Sequence, residues 1–173
     1  MCGGGTRDSA ESAVRSTAIL TLPMLALLLA LQIFHVAFLA LHDWIPLGRL
    51  NDVRAVAKEN PRGKLLIGTA ITTSLFVPPL IEGLRHVHGP WPGWVWVWLW
   101  AAYGLLFVGE LQAWWWPYFM GAKEKTVERY RVMFGGTHAF LPPRNGIRIN
   151  TLHFVLHTLT LVTLIALARE RMW

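Results

Sequence analysis

The stretch TLHFVLHTLTLVTLIAL, residues 151–167, is apolar apart from a few hydroxyls and two imidazoles, His153 and His157. On a helix, side chains four residues apart stand one above the other on the same face, so both rings would point the same way. Imidazoles so placed can ligate a transition metal, act as acid or base, or hydrogen-bond a neighbouring helix. Other groups in apolar runs could join them. Gln32, His35 and His42 share one helical face, as do Tyr103, Glu110 and Trp114, while Thr69, Thr72 and Thr73 lie close together. Glu110 is the strongest single signal, because a carboxyl deep in an apolar span is costly and normally faces a partner in the interior.

The elements that must hold these groups are four apolar runs, approximately 17–41, 65–84, 94–118 and 149–168. Each reaches the ~20 residues that cross a hydrocarbon core, and lipid offers the backbone no hydrogen bonds, so helices are expected. The predicted fold is all-α: one transmembrane domain over 1–173, a four-helix bundle and multi-pass integral membrane protein. Pro78-Pro79 predicts a kink in the second helix, and HGPWPG at 88–93 a tight turn. In the third connecting loop, Val127, Tyr130 and Phe134 fall at i, i+3 and i+7, predicting a short interfacial helix over about 122–134. Asn145 or Asn150 is expected to cap the fourth span.

The chain has 173 residues with 54% hydrophobic and only 15% charged, which sets it apart from soluble domains, where about a quarter of residues are charged. The net charge of +6 does not point to nucleic acid, because the charges sit in loops between apolar runs. Loops 42–64 and 119–148 carry eleven Lys and Arg against five elsewhere, which predicts cytoplasmic long loops and both termini on the outer side. Eight of the ten tryptophans cluster at the start and end of the third span, the pattern of two aromatic belts at headgroup level. The single cysteine, Cys2, excludes an intramolecular disulfide and a Cys-rich metal site.

Counting inward from the loop ends at 1.5 Å per residue places His35, Thr72, Glu110 and His157 in one layer, roughly 10–12 Å deep. His153 then lies one turn nearer the loops. His42 and Asp43 stand at the mouth, with His138 able to fold over it. The first functional reading is a buried site in which His35, Glu110, His153 and His157 hold zinc, iron or copper, or in which two of the histidines ligate haem b. The second is a non-catalytic accessory or assembly subunit, with a membrane-protein partner or a second copy on its aromatic surface. The third is metal-free acid–base chemistry, or binding of a lipid-like molecule, with Thr72, Tyr103 and Trp114 lining the pocket. Arg144 and Arg148 would then hold an anionic headgroup. Proton or ion transport is disfavoured by the lack of an internal repeat. The sequence specifies no reaction and contains neither CxxCH nor HExxH.

Overall fold

The computed structural model describes residues 24–170. Within them, four helices are long and apolar enough to cross a membrane: α1 (Met24–Leu41), α3 (Arg62–Arg85), α4 (Gly93–Met120) and α6 (Thr151–Glu170). Two shorter helices, α2 (Val53–Glu59) and α5 (Glu124–Phe134), occupy the two long connections. The expected start of the first span, 17–23, lies outside the described residues. The structure adds α2, whose N-terminus is capped by Asp52 accepting from the backbone N–H of Arg54 and Ala55. Both long connections close one end of the bundle, here called the loop end.

Each long proline-bearing helix departs from regular geometry just before its prolines. In α3 the α-helical geometry breaks at Leu75 and Phe76, so that Pro78 falls in the first turn of the second segment. In α4 a π-helical turn spans Leu111–Trp115, ahead of Pro117. A proline cannot donate to the carbonyl four residues before it. Pro79 therefore leaves Leu75 O without its helical donor, and Trp98 Nε1 donates to that carbonyl at 2.7 Å. Pro117 does the same to Ala113 O, which accepts from the Tyr130 hydroxyl. Burial raises the Tyr130 pKa and keeps its phenol a donor. Two aromatic side chains on neighbouring elements thus cover two carbonyls that prolines cannot reach. Tyr130→Phe is expected to lower stability by about 1 kcal/mol and to loosen α5 from α4, read as a lower unfolding midpoint in detergent with faster amide exchange in residues 124–134.

Packing is uneven. The main apolar core joins Leu25, Leu28 and Leu29 of α1 with Phe76, Val95, Leu99, Leu156 and Leu167. Gly83 lets α3 approach closely: a Cβ there would meet Leu29 Cδ2 at 2.9 Å and Trp91 Cζ2 at 3.1 Å. The Val77–Arg85 half of α3 packs against α4. The Arg62–Ser74 half has no buried residue. A second core at the loop end gathers Val56, Trp114, Tyr118, Met133, Phe134, Ile147 and Ile149. There α2 packs on α5, and Arg129 Nη2 donates to Asn60 Oδ1 at 2.6 Å.

The segment 135–150 is a tied strap. Arg144 and Ile147 exchange backbone hydrogen bonds across Asn145 and Gly146, both at positive φ (51° and 75°), the pattern of a type I′ turn. Asn145 Nδ2 donates to Tyr118 O and Phe119 O, so Asn145 closes the end of α4. The cap of α6 is Asn150, whose Oδ1 accepts from the His153 backbone N–H at 3.0 Å. A Cβ at Gly146 would lie 2.5 Å from Val127 Cγ1. Gly146→Ala combines that clash with a strained φ and is expected to cost about 2–4 kcal/mol, measurable as a lowered unfolding midpoint.

Two expectations about tryptophan need correction. Trp91 is buried in the main core and Trp114 in the second, whereas Trp94, Trp98 and Trp116 are exposed. Ring position along the helix does not by itself distinguish a belt residue from one facing the bundle.

Candidate functional site

Three side chains from three spans meet in the interior. His35 of α1 and Thr160 of α6 are fully buried, and Glu110 of α4 is 5% exposed. His35 Nδ1 donates to Leu31 O at 2.7 Å. Its Nε2 lies 3.2 Å from Thr160 Oγ1, which in turn lies 2.8 Å from Glu110 Oε1. The same hydroxyl is 3.0 Å from Leu156 O. The π-helical turn begins directly after Glu110. The His35 ring is held edge-on to Tyr103, with centroids 4.9 Å apart, and stacked on Phe76 at 6.5 Å.

Nearer the loop end, His153 is a packed and partnered residue. Its Nδ1 donates to Asn150 Oδ1 at 2.7 Å. Its ring lies 4.2 Å from Trp114 and 5.4 Å from Phe134, centroid to centroid. His42 stacks on Phe38 at 4.6 Å, stands 5.7 Å from the His153 ring, and contacts Asp43 Oδ1 at 3.3 Å. His138 ties the strap to α6: its Nδ1 lies 2.6 Å from Thr151 Oγ1, and its carbonyl accepts from Thr151 N.

His157 has a different environment. It is 4% exposed, and neither ring nitrogen has a hydrogen-bond partner among the described residues. The same holds for Glu110 Oε2. Both residues line a cleft of about 350 Å³ between α3, α4 and α6, whose other walls include Thr72, Phe76, Leu105, Trp114 and Leu156. The cleft lies beside the half of α3 that has no buried residue, and Leu105 on its rim is 67% exposed. An almost wholly apolar chamber therefore carries a carboxyl oxygen and an imidazole with unused hydrogen-bonding capacity. Leaving such groups unpaired costs about 1–3 kcal/mol each. Tyr103 Oη and the Gln32 amide are also buried without a partner among the described residues.

The expected ligand set is not gathered round one point. His35 and Glu110 meet through Thr160, His153 is held by Asn150, and His157 faces the cleft with Glu110. Among the described residues no three His, Cys, Asp or Glu side chains are grouped as a metal would require. Thr72 and Trp114 line the cleft, though the Thr72 hydroxyl donates back to Gly68 O. Tyr103 packs on His35 and does not line it. His42, Asp43 and His138 also lie outside its walls, as do Arg144 and Arg148. Arg144 lies over the Phe119 ring at 5.1 Å, and Arg148 Nη1 donates to Gly135 O at 2.9 Å.

Thr160 is the residue that sequence reasoning passed over as a site member. It shares the stripe of His153 and His157, but a threonine in an apolar helix usually bonds its own backbone, which hid its link to two other spans. Compared with protein-family models, curated proteins and solved structures, the chain matches none.

Proposed function

We propose that this chain is a multi-pass membrane protein that binds a small, largely apolar molecule through the cleft between α3, α4 and α6, with Glu110 and His157 hydrogen-bonding its polar head. The observation that carries this reading is that Glu110 and His157 line one apolar cleft and each has polar atoms that are buried and unpartnered among the described residues. Pockets for such ligands are mainly apolar with a few placed polar groups. The half of α3 without buried residues gives a lateral route from the hydrocarbon, and the excess of Lys and Arg supports a cytoplasmic loop end. A zinc, iron, copper or haem site that used His35 would need its Nε2 to leave Thr160.

The test is purification of the full chain in mild detergent, followed by solvent extraction and mass spectrometry, with metals measured in parallel. The expected result is a near-stoichiometric apolar compound with an oxygen- or nitrogen-bearing head, lost in the Glu110→Gln/His157→Leu double variant. A stoichiometric transition metal or haem with no organic molecule would overturn the reading in favour of a metal centre. A stoichiometric membrane-protein partner with no organic molecule would do so in favour of an accessory subunit.

A further inference from the structure

We infer that Glu110, Thr160 and His35 form a proton relay from the cleft into the bundle, and that the molecule it serves is a weak acid with an apolar tail. This rests on the cleft reading and deepens it. The argument begins with counting protons. His35 Nδ1 faces a carbonyl, which can only accept, so Nδ1 carries a proton. With the Thr160 proton donated along the chain, the remaining contacts, Nε2 to Oγ1 and Oγ1 to Oε1, are satisfied by two arrangements; donated to Leu156 O instead, it would need both ends protonated and His35 charged. In one, Glu110 Oε1–H donates to Thr160 Oγ1, whose own proton is donated to His35 Nε2. In the other, His35 Nε2–H donates to Oγ1, and Oγ1–H donates to Oε1. The two differ by one proton moved end to end.

The first arrangement is the resting one, because it is uncharged. Among the described residues no Lys or Arg side chain hydrogen-bonds or forms an ion pair with any of the three groups, and an unpaired buried charge is expensive. Glu110 lines the cleft, and its Oε2, buried and unpartnered among the described residues, is the relay's open end. A proton arriving there from an acidic head forms the O–H bond at Oε2. The Oε1 proton passes to Oγ1, and the Thr160 proton passes to Nε2. Three O–H bonds break (that of the acid, Oε1–H and Oγ1–H) and three bonds form (Oε2–H, Oγ1–H and Nε2–H). The carboxyl ends neutral, His35 becomes an imidazolium, and the bound molecule becomes its counter-anion. A basic head would take the Glu110 proton directly and leave His35 neutral, so only an acidic head drives a proton through Thr160 to His35. The arrangement therefore selects an acid, such as a fatty acid or a phenol with an apolar tail.

The experiment uses the full chain in lipid nanodiscs, with nitrogen-15 histidine and carboxyl-labelled carbon-13 hexadecanoic acid. The His35 signals are assigned by their loss in His35→Gln. Without the acid, His35 is expected to be neutral with its proton on Nδ1; a proton on Nε2 instead, or a charged ring, overturns the relay. With equimolar acid, His35 is expected to become an imidazolium as the label becomes a carboxylate. In Thr160→Val the label should still bind while His35 stays neutral, and Thr160→Ser should restore the transfer. Thr160→Ala replaces the valine variant where that is too unstable to purify. Wild-type protein that binds the acid without charging His35 defeats the relay and leaves the cleft reading standing, as does charging of His35 in the variant lacking the hydroxyl. No binding of the acid defeats both.

Discussion

Replacing Thr160 by valine is expected to destabilise the bundle by about 2–4 kcal/mol, although the two side chains are nearly equal in size. No cavity forms, so the loss comes from what the hydroxyl leaves behind. His35 Nε2 and Glu110 Oε1 both lose their contact at once, and each newly orphaned buried group costs about 1–3 kcal/mol. Polar contacts between helices in membranes average less than 1 kcal/mol when measured by double-mutant cycles, because the separated helices find other partners. The lower half of the range is therefore the expectation. Thr160→Ser, which keeps the hydroxyl, should lose less than half as much. The apolar triple variant His35→Leu/Thr160→Val/Glu110→Leu should recover most of the stability, since it removes every group that would be stranded. Denaturation in detergent measures all three. If Thr160→Val unfolds at the wild-type midpoint, the hydroxyl does not link the helices.

The four long helices were legible because an apolar run of span length has few alternatives. Where described, their ends shifted only slightly, as with Gly93–Met120 against 94–118 and Arg62–Arg85 against 65–84, and so did those of the connecting helix Glu124–Phe134 against 122–134. Helix α2 was not legible as a helix, since seven residues give too little periodicity to read, although Asp52 was its cap in plain view. The depth count failed by one turn. It matched His35 with His157, whereas the structure sets His42 beside His153 and His35 beside Thr160, each step being seven residues. Counting assumed that all helices begin at one level. The strap and the Asn150 cap fix where α6 begins, and the π-helical turn alters the phase of α4 around Glu110. Neither can be read from composition. The prolines were visible, but not the aromatic donors that answer them, because Trp98 and Tyr130 act across elements distant in sequence.

His157→Leu should separate a binding group from a structural one, because its two effects run in opposite directions. A buried imidazole that links helices loses stability when replaced by an apolar side chain. His157 has no hydrogen-bond partner at either nitrogen among the described residues, so leucine of similar size removes an unmet polar demand. The expected result is unchanged stability or a gain of about 1 kcal/mol or more, read as a higher unfolding midpoint for protein freed of bound molecules. The same variant should weaken binding of a photoreactive long-chain fatty acid by about ten- to a hundredfold, since one hydrogen bond to a buried charged head is worth about 1.5–3 kcal/mol. His153→Leu is the contrasting substitution. It strands the Asn150 carbonyl oxygen from its side-chain partner and disturbs the Trp114 and Phe134 contacts, so it should destabilise by about 1–3 kcal/mol. Two histidines one turn apart on the same helix thus answer the same substitution with opposite signs. If both variants lose stability and both still take the label, His157 is a structural residue and the cleft has no polar recognition at that position.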